Sequence, residues 1–85
     1  MEDELYNKQI TSRKDFVEFL KLLHKYYASK PEDWENNTLE SFLKALSDYA
    51  DDIPKYYKNT KQDRSPETAD WQVFADMLKG AIIYE

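Results

Sequence analysis

The sequence predicts an all-α fold, a bundle of three to four helices, and three observations carry that expectation. Apolar residues recur at three- and four-residue steps through three long segments, the signature of amphipathic helices. The only glycine is Gly80, and no Asn-Gly or Asp-Gly hairpin turn is present. Pro31 and Pro54 punctuate the periodic segments where a helix is expected to stop. Residues 2–10 read as a short extra turn or an extended arm, in a single domain spanning 1–85 whose first ten residues are flexible or weakly ordered.

The first long helix is expected over 12–28. Ser12 is its N-cap, with Asp15 as the capping-box partner three positions on. Phe16, Phe19, Leu20, Leu23, Tyr26 and Tyr27 form its stripe, widened by Val17 and Leu22. Pro31 ends it and opens a single turn over 31–35, with proline at the first position and Trp34 plugging the core between the first two helices. The second long helix is expected over 38–52, capped by Asn37 with Glu40 in return. Its stripe is Leu39, Phe42, Leu43, Leu46, Tyr49, Ala50 and Ile53, and Pro54 marks its end or a kink. A short turn over 54–58 carries Tyr56 and Tyr57. Residues 58–68 are polar, without periodicity, and form the main loop. The last helix is expected over 69–84, capped by Thr68 or Ser65, with Trp71, Phe74, Ala75, Leu78, Ala81 and Ile82 buried. Gly80 inside it costs about 1 kcal/mol against alanine, so a close helix approach near Trp34 is expected there. The competing α+β reading makes 82–84 a strand, against the helical period of the segment.

Eighty-five residues hold one domain with a small core, and the 13 aromatic residues suit that need. Cysteine is absent, which fits a cytoplasmic protein and removes disulfides and thiolate metal sites. The apolar runs are too short to span a membrane, and the acidic start Met1-Glu2-Asp3-Glu4 is no signal peptide. The net charge of −5 is unevenly spread: residues 1–30 carry +1, residues 31–53 carry −6 and residues 54–85 carry 0. Nucleic acid and anionic membrane both need clustered Lys and Arg, so neither is an expected partner. A basic protein surface is the natural complement.

Catalysis has little to draw on. His24 is the only histidine and sits at the edge of the first stripe, where a solvent-side role is expected. No glycine-rich phosphate loop, nucleophile elbow, calcium loop or zinc ligand set is present. No cofactor and no metal are expected. The candidate partner-binding residues are Glu40, Asp48, Asp51, Asp52, Tyr56 and Tyr57. Asp48, Asp51 and Asp52 share one helical face at the end expected to be negative, where acids are disfavoured by about 0.3–1 kcal/mol each. A plain solvated acidic face, or a helix running on past Pro54, is the bland alternative. Of two adjacent tyrosines on one turn, at least one must face solvent, where tyrosine is a favoured interface residue. Trp34 and Trp71 are expected in the core rather than as binding platforms.

Five segments carry a resemblance. Ser12-Arg13-x-Asp15-Phe16, Pro31-Glu32-x-Trp34-Glu35-Asn36-x-Thr38-Leu39-Glu40, Phe42-Leu43-x-Ala45-Leu46, Tyr56-Tyr57-Lys58-Asn59 and Trp71-x-x-Phe74-Ala75-Asp76-x-Leu78, with Tyr84-Glu85, resemble a family of small bacterial domains of unknown function. That resemblance implies a bacterial source and no known activity. In size, acidity and layout the chain is also similar to the immunity proteins that inhibit colicin and pyocin DNases. Those have four helices, an acidic second helix, a short third helix with adjacent tyrosines and a Ser-Pro before the last helix. Tyr56-Tyr57 and Ser65-Pro66 match these features, and the acids Glu40, Asp48, Asp51 and Asp52 match in character but not register. Ile53 stands where that family carries an acid, and Trp71 opens the last helix rather than closing it. The resulting expectation is a non-catalytic protein-binding module, immunity-like toward a basic partner. A structural or homo-oligomerising helical domain is the alternative.

Overall fold

The computed structural model describes residues 2–85, with side chains from residue 3 onward; Met1, part of the expected arm, lies outside them. Four helices form in chain order: α1 (Glu2–Asn7), α2 (Arg13–Ser29), α3 (Leu39–Asn59) and α4 (Trp71–Ala81), with a 3₁₀ turn at Pro31–Asp33. The fold is all-α, and 82–84 is not a strand.

Of the two alternatives for residues 2–10, the helical one is realised. Leu5 is fully buried and Ile10 nearly so, in a cluster with Phe19, Tyr26, Trp34, Ala75 and Ile82. The Ile10 backbone N–H donates to Gln72 Oε1 at 2.9 Å, tying this segment to α4.

α2 starts where the sequence says. The Ser12 hydroxyl accepts from the Asp15 N–H at 3.1 Å, which answers one of the four unpaired donors of the first turn. Trp34 closes the core as expected, its ring set against Tyr26 at 5.8 Å, Tyr27 at 5.1 Å and Phe42 at 5.6 Å.

α3 departs from expectation at both ends. Its cap is Thr38, not Asn37: Thr38 Oγ1 accepts from the Ser41 N–H at 3.1 Å, and Ser41 Oγ accepts from the Thr38 N–H at 3.3 Å. Glu40 is left exposed on the first turn. At the other end the helix runs through Pro54 to Asn59, so 54–58 is no separate turn and the immunity-like short third helix is absent. An interior proline costs about 3 kcal/mol or more. The ring sits on the exposed side, while its neighbours Ile53 and Tyr57 are buried with Val73. Burial of those two large side chains, at about 1.5–3 kcal/mol each, offsets the lost backbone bond. Lys61, at φ 57, turns the chain out of the helix in a conformation usually left to glycine.

α4 is shorter than expected, 71–81 rather than 69–84. Asp70, not Thr68 or Ser65, caps it by accepting from the Gln72 N–H at 2.8 Å. Its far end is held by Asn36, whose side-chain amide donates to the carbonyls of Ala81 and Tyr84 at 2.9 and 2.8 Å. The Asn36 N–H also donates to Ile82 O at 3.1 Å. These bonds answer carbonyls that a helix end leaves open.

α4 lies between α2 and α3. Phe16 of α2 meets Trp71 at its start, at 5.5 Å, and Ile53 and Tyr57 of α3 pack on Val73. The close approach that Gly80 permits is therefore to α3 at Tyr49, not to Trp34: a Cβ at Gly80 would stand 2.1 Å from Tyr49 Cε2. Trp71 is a half-exposed wall rather than a core residue, and Leu39, Leu43, Phe74 and Leu20 of the expected stripes are also exposed.

Candidate functional site

The first feature on α4 is a buried polar knot. Asp76 is only 9% exposed. Its Oδ2 accepts from the Tyr57 hydroxyl at 2.7 Å, and its Oδ1 accepts from Gln72 Nε2 at 3.0 Å. Lys79 Nζ stands 3.2 Å from Oδ1 and neutralises it. Tyr57 is thus a structural residue and not part of a binding surface.

Beside this knot, α1, α3 and the end of α4 enclose a cleft of about 350 Å³ lined by Tyr6, Tyr49, Tyr56, Asp76, Lys79, Gly80 and Ile83. Tyr6, Tyr56 and Ile83 are 42%, 39% and 59% exposed. Tyr49 is the hub of an aromatic group, with its ring 6.1 Å from Tyr56 and 5.1 Å edge-on from Tyr84. The hydroxyl of Tyr84 donates to Asp52 Oδ2. That bond raises the Tyr84 pKa, with smaller effects from burial and from the charges of Asp52, Asp48 and Asp51. All three acids therefore act on Tyr84, which packs on Tyr49 beside the cleft.

The acids do not sit at a helix end. α3 continues to Asn59, so they are mid-helix and the expected dipole penalty does not apply. Asp48 is paired with Lys44 at 2.8 Å, Asp52 has Lys55 at 3.9 Å, and Asp51 is exposed. Of the six expected residues only Tyr56 lines the cleft; Asp52 is joined to its neighbourhood through Tyr84, and Asp48 and Asp51 lie on α3 outside its lining. Glu40 is remote: it lies twelve residues from Asp52, about 18 Å along the helix. Tyr6, Tyr49, Ile83 and Tyr84 were not expected. Only the seven-residue spacing from Tyr49 to Tyr56, two turns on one face, signals any of them in the sequence.

Burial pushes the Tyr49 hydroxyl up to about 12, helped by the charges of Tyr56, Asp76 and Tyr84. Burial, followed by the bond to Asp76, pushes the Tyr57 hydroxyl further still. A tyrosine whose pKa is raised by folding lends stability below its unfolded value of about 10, and that stability is lost as pH climbs through the folded value. Unfolding free energy should therefore drop between about pH 10 and about 12, the latter being the Tyr49 value. Urea titrations across that range check it. Tyr49→Phe should remove part of the drop, and an equal drop in both proteins would contradict the assignment.

Among the described residues, no three His, Asp or Glu side chains are placed to hold a metal ion, and no helix is long and apolar enough to cross a membrane. Fold and cleft together define a small all-α bundle domain. The chain belongs to the Family of unknown function (DUF7660), which it matches over residues 12–85. No curated protein and no solved structure matches it. The family match begins after α1, so Tyr6 is the one cleft residue outside it.

Proposed function

We propose that this chain is a non-catalytic protein-binding module that takes a basic partner on the cleft between α1, α3 and α4. The observation that supports the reading is the convergence of Tyr6, Tyr49 and Tyr56 on one cleft, with Tyr84, packed on Tyr49, bonded to Asp52 of the acidic stretch. Tyrosine faces attract Lys and Arg by about 0.5–2 kcal/mol, depending on desolvation. The carboxylates set the orientation and raise the rate of encounter. A continuous α3 holds the acids and Tyr56 on one rigid rod, so little ordering is required on binding. An immunity-like inhibitor of a basic bacterial toxin or nuclease is the sharpest form, acting in the cytoplasm.

The test is binding to a captured partner. Asp51→Ala, Asp52→Ala and Tyr56→Ala should each weaken it, Tyr56→Ala by about 2 kcal/mol as a hot spot. The association rate should fall steeply with added salt. Unchanged affinity in all three variants rules this surface out. A homo-oligomerising domain is the second reading, favoured by the apolar face on the other side of α4, where Leu43 is 53% exposed.

A further inference from the structure

We infer that the chain binds a phosphate group, free or as a small monoester, in a cationic pocket walled by the α1–α2 link, the main loop and α4. The inference goes beyond the partner surface. It needs no protein partner, and it rests on Lys8 and Arg64, which line this pocket and not the tyrosine cleft.

Three cations line the pocket: Lys8 after α1, Arg64 in the main loop and Lys79 in the last turn of α4. They come from distant parts of the sequence, so no run of charge announces them. Each is drawn well out of water, with side-chain exposures of 23%, 33% and 16%. A cation so placed needs compensation. Each has one acid, Glu18 at 3.0 Å, Asp70 at 3.4 Å and Asp76 at 3.2 Å. Glu18 and Asp70 stand outside the lining, so they hold Lys8 and Arg64 in place without filling the pocket. Asp76 is the one carboxylate in the lining, and its oxygens are already taken by Tyr57, Gln72 and Lys79. An ammonium carries three N–H donors and a guanidinium five, so each cation keeps donors beyond its one ion pair. The Arg64 Nε–H is buried with no acceptor among the described residues. Donors outnumber acceptors here, and an anion is what balances them.

Size, shape and field narrow the anion. The pocket holds about 230 Å³, less than the roughly 300–1,000 Å³ of a site for a whole drug-sized ligand. It takes a compact head group. Donors arriving from three walls suit a tetrahedral oxyanion; a flat carboxylate is matched by two parallel donors from one side. The net charge of −5 repels a polyanion, so nucleic acid and anionic bilayers remain poor ligands. Tyr6 and Tyr56 line both this pocket and the tyrosine cleft. An aromatic ester group on the phosphate therefore has ring faces to lie against.

Isothermal titration of the whole chain at constant ionic strength tests this, with inorganic phosphate, phenyl phosphate and acetate as probes. Both phosphates should bind saturably, one per chain, and acetate far more weakly. Phenyl phosphate binding about tenfold tighter than the free ion identifies a monoester site; equal affinities assign the site to the free ion. Lys8→Gln and Arg64→Gln should each weaken phosphate binding about tenfold, the loss of one charge-assisted bond. Lys21→Gln, which removes an exposed cation outside the lining, should leave it unchanged. Lys79 is kept, because it neutralises Asp76. Asp51→Ala and Asp52→Ala, which test the partner surface, should not weaken phosphate binding, so the two readings fail separately. No saturable binding of either phosphate overturns the inference. So does acetate binding as tightly as phosphate, or a loss in Lys21→Gln equal to that in Arg64→Gln.

Discussion

Replacing Asp76 by alanine should lower the unfolding free energy by about 3 kcal/mol, because the change strands three groups at once. The Tyr57 hydroxyl loses its 2.7 Å acceptor, the Gln72 amide loses its 3.0 Å acceptor, and Lys79 loses its counter-charge at 3.2 Å. Tyr57 is 2% exposed, so water cannot readily replace the carboxylate there. An unpaired buried group costs about 1–3 kcal/mol, while rebuilding the site from apolar groups would cost far less. Domains of this length hold only about 4–13 kcal/mol in total, so the variant gives up a large share. The melting temperature should fall by more than about 10 °C. Asp76→Asn keeps one acceptor oxygen and should cost less than half as much, the remainder being the unpaired Lys79. Urea unfolding of the three proteins at neutral pH measures both steps. A loss below about 1 kcal/mol in the alanine variant would mean that water enters and repairs the knot.

The same knot shows where sequence reading stops. α2 was legible because two independent signals bracket it, Ser12 at one end and Pro31 at the other. α3 was not, because the local rule at Pro54 points to a stop and only tertiary burial of Ile53 and Tyr57 on Val73 overrules it. That one override changed the reading of the acids, from a misplaced helix end to an ordinary mid-helix face. It also fixed which tyrosine faces solvent and which holds the fold. Adjacent residues on a continuous helix point about 100° apart, so Tyr57 turns to Asp76 while Tyr56 stays 39% exposed. The end of α4 was overshot because Ile82 and Ile83 keep the segment apolar. The stop comes from Asn36, 45 residues from Ala81 in sequence, which no local pattern reveals. The acidic stretch itself was legible as the net −6 segment. The cleft was not, since Tyr6 and Ile83 come from opposite ends of the chain and its charged residues, Asp76 and Lys79, lie outside that segment. Leu39 and Leu43 obey the helical period and are still exposed, because the stripe on α3 is wider than the face that α4 covers.

Gly80→Ala should destabilise the protein by about 2 kcal/mol, against the gain of about 1 kcal/mol that this change brings in an unobstructed helix. The sign is decided by distance. A Cβ at position 80 would lie 2.1, 2.3 and 2.4 Å from three atoms of the Tyr49 ring, whereas carbon atoms rest at about 3.5–4.0 Å. The ring would have to retreat by more than about 1 Å. It is not free to do so, since Tyr56 and Tyr84 flank it at 6.1 and 5.1 Å. Moving Tyr84 in turn disturbs its bond to Asp52. The strain therefore travels from α4 through Tyr49 into the rim of the cleft, and the variant should lose stability and alter the cleft together. Tyr49→Ala removes the obstacle. It is costly alone, but in its presence Gly80→Ala should become neutral or stabilising, so the two changes should couple by about 2–3 kcal/mol. Thermal melts of the two single variants, the double variant and the parent measure that coupling. A Gly80→Ala protein that melts higher than the parent would mean that α3 and α4 stand further apart at Tyr49 than described. The cleft would then lose the close helix contact that sets its width.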